Sequence, residues 1–213
     1  MEMNENKQMI IGLCGRSGSG KGYVSRLFER YGIPAVDTDA VYRDLTAPSD
    51  KPSHCMKEIT ERFGPDAALP DNSLNRVYIR DMVFGEDKNA LSDLNRITHK
   101  FILTETLERM SAFNENGFPI VIIDAPLLFE SGLSSICDFI VCVTAPEDIS
   151  LRRITTRDGI TLEDAKKRLD AQITNEELTK KCDAVIFNDD TDSVKDEVRE
   201  LAERIRELYR SKQ

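Results

Sequence analysis

Chemistry in this chain starts at Gly15-Arg16-Ser17-Gly18-Ser19-Gly20-Lys21-Gly22, a G-x-x-x-x-G-K pattern. It follows an apolar run, Met9 to Cys14, and leads into Val24, Leu27 and Phe28 at helical spacing. Strand, glycine-rich turn and helix in that order is the context of a phosphate-binding loop. Glycines let the backbone fold around a phosphate without Cβ clashes, so that several N–H groups point inward. A helix starting near Gly20 adds its first amides and the positive end of its dipole. Lys21 supplies a mobile cation for the outer phosphates. The competing reading is a glycine-rich turn with a chance lysine, and the flanking strand and helix argue against it.

The residue after the lysine is commonly Ser or Thr, whose hydroxyl binds Mg²⁺; here it is Gly22. Mg²⁺ is held largely by phosphates and waters, so the loss of one hydroxyl does not abolish metal use. The adenylate-kinase loop also reads G-K-G, which points toward small-molecule kinases and away from GTPases.

Ligands of open α/β sheets bind outside the carboxyl ends of the strands, and two carboxylates fall there. Asp124 ends Ile120-Val121-Ile122-Ile123-Asp124 and has the place of the acidic residue that steers Mg²⁺, largely through water. Asp39, in Asp37-Thr38-Asp39, is suited to orient and deprotonate an acceptor hydroxyl, since phosphoryl transfer asks mainly for positioning and charge. A helix N-cap before Ala40-Val41-Tyr42 is the other use for Asp37 or Asp39. Further on, Arg152, Arg153, Arg157, Asp158-Gly159, Lys166, Lys167, Arg168 and Gln172 suit a mobile lid. Its guanidinium groups would neutralise charge on a transferring phosphoryl group. Glu163, Asp164 and Asp170 offer solvated pairs to these bases. Such pairs account for Arg152, Lys166 and Lys167, and leave Arg153 and Arg157 as the functional candidates.

The elements that position these residues are legible as apolar runs at 9–14, 33–37, 119–124, 139–143 and 184–187. Runs without alternation predict strands buried on both faces, as in a parallel sheet covered by helices. Helical patterns at 54–63, 74–84 and 88–113, broken at Phe63-Gly64-Pro65 and Phe118-Pro119, make the segment between the second and third strands a helical insertion that holds a second substrate. Val194, Val198, Leu201, Ile205 and Leu208 share one face of a last helix.

The chain has 213 residues, enough for one α/β domain, and a formal net charge of −9, which argues against a nucleic-acid surface. Phosphate recognition must then come from a few local bases. Five cysteines (Cys14, Cys55, Cys137, Cys142, Cys182) contain no C-x-x-C pair and read as reduced thiols of a cytoplasmic protein. With only His54 and His99 available, no zinc site is expected. No apolar run approaches the ~18 residues of a membrane span, and the start of the chain, with Glu2 and Glu5, has no leader pattern.

The chain resembles the dephospho-coenzyme A kinase family over nearly its whole length. The resemblance rests on Asp37-Thr38-Asp39-Ala40-x-x-Arg43, on Leu74-Asn75-Arg76 leading to Val83-Phe84, and on Leu94-Asn95-x-Ile97-x-His99. Asp124-Ala125-Pro126-Leu127-Leu128-Phe129-Glu130 is the strongest element. Arg153-x-x-x-Arg157-Asp158-Gly159 with Ala165, Arg168 and Gln172 agrees, as does Asp183-x-Val185-Ile186-x-Asn188. Two positions depart from the family pattern: Gly22, and Lys100 where a Pro usually follows the histidine.

The resemblance implies an α/β, three-layer P-loop kinase fold with a five-stranded, mostly parallel sheet. It implies one domain, with a core at about 1–48, 118–150 and 182–213, an insertion at about 49–117 and a lid at about 151–181. It implies transfer of the ATP γ-phosphate to the ribose 3′-hydroxyl of dephospho-CoA, with Mg²⁺ and without an obligate protein partner. Gly15, Ser17, Gly18, Ser19, Gly20, Lys21, Gly22 and Tyr23 would bind the ATP phosphates. Asp39 would face the acceptor hydroxyl, and Arg153 and Arg157 would close from the lid. Arg43, Arg76, Arg80, His99 and the turn Pro126, Leu127, Leu128, Phe129, Glu130 would shape the acceptor pocket. By residue chemistry alone, Leu127, Leu128 and Phe129 read as core and His99 as a structural hydrogen-bonding group. The alternatives are another P-loop kinase, acting on a nucleoside monophosphate or small alcohol, and a non-catalytic ATP-binding switch. The GTPase patterns N-K-x-D and D-x-x-G are absent from the sequence.

Overall fold

The computed structural model describes residues 7–213, so Glu2 and Glu5 lie outside the described residues. Five strands, β1 (Met9–Cys14), β2 (Ala35–Asp37), β3 (Ile120–Asp124), β4 (Phe139–Thr144) and β5 (Ala184–Phe187), form one sheet in the order β2-β3-β1-β4-β5. Every neighbouring pair is parallel. Two strands are shorter than their apolar runs because a proline stands just before each strand, Pro34 before β2 and Pro119 before β3, with no N–H for the ladder. Pro34 and Pro119 still accept, from Ile122 N at 2.8 Å and Met9 N at 2.8 Å.

The chain divides into two compact units, one of residues up to Asp37 with Met110–Gln213, the other Thr38–Arg109. In the first, Met9, Ile11, Leu13, Ile122, Val141, Val143 and Ile186 point to one face of the sheet. They meet Val24, Leu27 and Phe28 of α1 (Lys21–Arg30), and Val194, Val198, Leu201 and Ile205 of the C-terminal helix Ser193–Ser211. The expected stripe on that helix is therefore real, with Leu208 at its partly buried margin. Helix α1 ends where Gly32 takes φ 72°.

The second unit holds α2 (Thr38–Leu45), α3 (His54–Phe63), α4 (Arg76–Val83) and most of α5 (Ala90–Glu115). Its own core gathers Cys55, Met56, Ile59, Phe63, Leu74, Ile79 and Ile97. Two of its helices, α3 and α4, start on side-chain caps: Ser53 accepts from Met56 N at 3.0 Å and Asn75 from Tyr78 N at 3.2 Å. Lys100, in place of the family proline, lets α5 run unbroken, and its ammonium pairs with Glu58.

Back in the first unit, α6 (Glu147–Asp158) and α7 (Leu162–Asp170) pack around Leu151, Ile154, Ala165 and Leu169. The turn between them needs Gly159 at φ 65°. After the short α8 (Asn175–Thr179) the chain enters β5, and the C-terminal helix is α9. No helix among the described residues is long and apolar enough to cross a membrane.

Phe28 is fully buried between the sheet and α9. Phe28→Ala should lower unfolding stability by about 3–5 kcal/mol. Urea melts should show this as a lower midpoint at unchanged slope; a loss below about 1 kcal/mol would mean this face is not the main core.

Candidate active site

The loop between β1 and α1 is shaped by contacts that leave no room for side chains. A Cβ on Gly15 would lie 2.5 Å from Val143 O and 2.7 Å from Ser19 Oγ. One on Gly18, at φ +77°, would lie 2.4 Å from Ser150 O. Gly20 takes φ +84°, and a Cβ there would lie 2.1 Å from Asn188 Nδ2. The glycines thus seat the loop against β4, α6 and the end of β5. Gly20 O then accepts from Tyr23 N at 2.9 Å and Val24 N at 3.2 Å, starting α1. Tyr23 packs at the edge of the core.

Two polar atoms of the loop bear on what it binds. Ser17 N–H donates to Gln172 Oε1 at 3.0 Å, an acceptor oxygen at a loop amide. Ser19 is buried, and its hydroxyl has no hydrogen-bond partner. A buried unpaired hydroxyl costs stability unless a ligand satisfies it, and a phosphate oxygen at this loop is such a ligand.

Lys21, the first residue of α1, forms an ion pair with Asp124, whose side chain is 5% exposed. Asp124 closes β3 in register with Leu13 on β1 and with Asp37 on β2. The carboxyl edge of the sheet therefore sets Lys21 and Asp124 beside the glycine loop, with Asp37 one strand further out. Asp124 fits a Mg²⁺ site as a hard oxygen donor. Gly22 offers only space: a Cβ there would find Arg26 Nη1 at 3.8 Å and no nearer atom.

Arg153 is fastened to the loop and to β5. Its guanidinium donates to Gly18 O at 2.9 Å and to Asn188 Oδ1 at 3.0 Å, and it pairs with Asp190. Arg157 pairs with Asp158 at 2.7 Å, and Arg168 pairs with the same carboxylate. Hydrogen bonding from Arg157, and then from Arg168, lowers the Asp158 carboxyl to about 2. Lys167 pairs with Glu163 as expected, whereas Arg152 pairs with Asp190, outside the three acids foreseen for it. In the turn after β3, Leu128 is wholly buried and Leu127 is 52% exposed, so one leucine is core and the other is available. Pro126 and Glu130 are also exposed, and Lys181 Nζ lies 5.3 Å from the centre of the Phe129 ring.

In the second unit, Asp39 is exposed in the first turn of α2 and Arg43 in its last. The Arg76 guanidinium lies 5.7 Å from the centre of the Tyr42 ring, Arg80 pairs with Asp81 at 3.2 Å, and His99 is half-buried on α5.

Asn188 escapes the sequence reading as a site residue. It is buried, donates through Nδ2 to Ser19 O at 2.9 Å, and accepts from Arg153. Its sequence signals are its place directly after β5 and at the end of Asp183-x-Val185-Ile186-x-Asn188. Arg16 donates to Leu169 O near the end of α7.

A parallel sheet of this order, opening from its first strand into a buttressed glycine loop with a lysine–aspartate pair beside it, is the core of a P-loop kinase. The particular family comes from comparison. A family model described as dephospho-CoA kinase matches residues 9–194. A dephospho-CoA kinase of Listeria monocytogenes serotype 4b (strain F2365) is 37% identical over 181 residues, covering 85% of this chain and 88% of that protein. A crystal structure from Thermus thermophilus superposes with a TM-score of 0.76 at 30% identity, over 95% of this chain and 98% of its own. Dephospho-CoA kinase from Campylobacter jejuni has a TM-score of 0.62 at 22% identity, over 94% and 98%. The chain belongs to the dephospho-CoA kinase family.

The two neighbouring glycines predict opposite outcomes. Gly20→Ala should abolish nucleotide binding and destabilise the fold, because both the φ and the space forbid a methyl group. Gly22→Ala should raise stability by about 0.5–1 kcal/mol through helix propensity, with ATP binding kept. Melting curves and calorimetry with ATP on both variants check this; equal effects would refute the seating of the loop.

Proposed function

We propose that this protein phosphorylates the ribose 3′-hydroxyl of dephospho-CoA with ATP, giving CoA and ADP, and that the residues assembled at the carboxyl edge of the sheet carry the reaction. Family membership names the reaction, and the observation that ties it to this chain is the Lys21–Asp124 pair beside the glycine loop.

The loop Gly15–Tyr23 holds the ATP phosphates with backbone amides, and the Ser19 hydroxyl adds one donor. Lys21 neutralises the outer phosphates. Asp124 is the residue that would hold Mg²⁺, which supplies charge compensation on the β- and γ-phosphate oxygens when bound. Asp39 follows Asp37 by two residues at the end of β2 and takes the proton of the 3′-hydroxyl. The ribose oxygen then forms its bond to the γ-phosphorus as the bond to the β–γ bridging oxygen breaks, and ADP leaves. Arg157, exposed at the end of α6, supplies a planar cation to the transferring group, and Arg153 does so from its place against the loop. For acceptor recognition the candidates are Arg43, Arg76, Arg80 and His99 in the unit of residues 38–109 and, in the other unit, Pro126, Leu127, Leu128, Phe129 and Glu130. In this reading the insertion (about 49–117) recognises the acceptor, the lid (about 151–181) excludes water, and the enzyme acts in the cytoplasm.

An acceptor panel with MgATP tests the reaction. ADP release should require dephospho-CoA, and brisk turnover of AMP or a small alcohol in its place would refute the assignment. Asp39→Asn should lower kcat by about 10²–10⁴-fold while ATP affinity changes little; an unchanged kcat would leave Asp39 as a helix-capping residue. Lys21→Ala should cost about 10²–10³-fold in kcat/KM. It should also lower stability by about 1–3 kcal/mol, because Asp124 loses a buried charged partner. Kinetics and urea melts on one sample separate the two effects.

A further inference from the structure

The face of the sheet opposite α1 and α9 carries a group of side chains that phosphoryl transfer does not use. Cys14 ends β1 one residue before the phosphate loop, and Cys142 lies directly across from it on β4, in register. Cys182 stands two residues before β5. The three sulfurs all lie within 4.8 Å of one another, and Cys14 Sγ is 3.6 Å from Cys182 Sγ. The sequence hides this, because the three cysteines are far apart in the chain and form no C-x-x-C pair. The expectation that two histidines leave no zinc site therefore overlooked an arrangement built from sulfur alone.

We propose that Cys14, Cys142 and Cys182 form a three-sulfur binding site for a thiophilic divalent cation of the zinc class. Zn–S bonds of about 2.3 Å place coordinating sulfurs roughly 3.7–4.0 Å apart, close to the spacing found here. The site is pre-organised. Two sulfurs hang from neighbouring strands whose register is fixed by the ladder. The third is held by its neighbour Asp183, whose N–H donates to Ile140 O at 2.8 Å while its carboxylate accepts from Ile140 N at 2.7 Å. Cys14 and Cys142 are buried and Cys182 is half-buried, which gives the ion an entry and leaves a fourth position for water. A disulfide would use two of the sulfurs and strand the third; a cation uses all of them. Binding displaces the thiol protons to solvent as three S–M bonds form, so affinity rises with pH. A bound ion would clamp the ends of β1 and β4 to the start of β5 at the point where the loop begins.

The experiment uses the full chain, reduced with a phosphine and kept anaerobic. It is titrated with Zn²⁺ against a chromophoric chelator and, separately, with Cd²⁺ while the ultraviolet thiolate-to-metal charge-transfer band is followed. One equivalent per chain is expected, with three sulfur neighbours by X-ray absorption and a raised melting temperature. Cys182→Ala should weaken Zn²⁺ binding at least ~10-fold and lose the third sulfur, while Cys137→Ala and Cys55→Ala keep both. Cys142→Ala serves the same purpose should Cys182→Ala fail to fold. No uptake by the reduced wild type, fewer than three sulfurs, or wild-type affinity in both cluster variants would overturn the proposal. Each of these results is independent of kinase activity.

Discussion

A loop that binds phosphate with its own backbone cannot be held in place by its own side chains, and much of this structure answers to that constraint. At Gly15, Gly18 and Gly20, the space a side chain would fill is taken by Val143 O, Ser150 O and the Asn188 amide. The glycines thus serve two surfaces at once. One is open to phosphate; the other abuts β4, α6 and the end of β5 closely enough that a methyl group would part them. Asn188 and Arg153 complete the support by taking up the carbonyls of Ser19 and Gly18. A backbone fixed in this way needs little reorganisation when charge develops on the ligand, and that is the main source of electrostatic catalysis.

What the sequence reveals follows from the range of the interactions concerned. Strands buried on both faces announce themselves as unbroken apolar runs, and helix caps such as Ser53 and Asn75 act within three residues; both are local. The position of Lys21 is local too, since loop and helix are contiguous. The ties that hold the loop are not. Ser19 meets Asn188 across 169 positions and Ser17 meets Gln172 across 155, and nothing in the local pattern announces either contact. Strand order has the same character: β1 lies between β3 and β4, and that placement, invisible in any short window, brings Cys14 beside Cys142 and Leu13 beside Asp124. Lys100 shows the reverse case, where one departure from a family pattern is read correctly only once α5 is seen to continue through it.

The acidic balance of the chain is compatible with polyanionic substrates because its bases are kept local and occupied. Arg157 and Arg168 share Asp158, and Arg152 and Arg153 share Asp190. Since Arg157 and Arg168 hold Asp158 near 2, the carboxylate stays ionised at any working pH and keeps both guanidinium groups in reach. Under the proposed function, a phosphoryl group arriving at Arg157 would exchange one anion for another. Arg153 differs from Arg157 in this respect. With bonds to Gly18 O and Asn188 it serves loop geometry as well as charge, whereas Arg157 is 63% exposed at a glycine-terminated helix end and has room to reorient.

The same exchange applies with more force to Lys21 and Asp124, because that pair is the more deeply buried. In the proposed reaction Lys21 would turn to the phosphates, and the buried Asp124 would exchange that cation for the Mg²⁺ that a nucleotide brings. On that proposal Asp124, rather than a loop hydroxyl, is the group through which nucleotide and metal binding would be coupled, which suits a loop with Gly22 in the usual hydroxyl position.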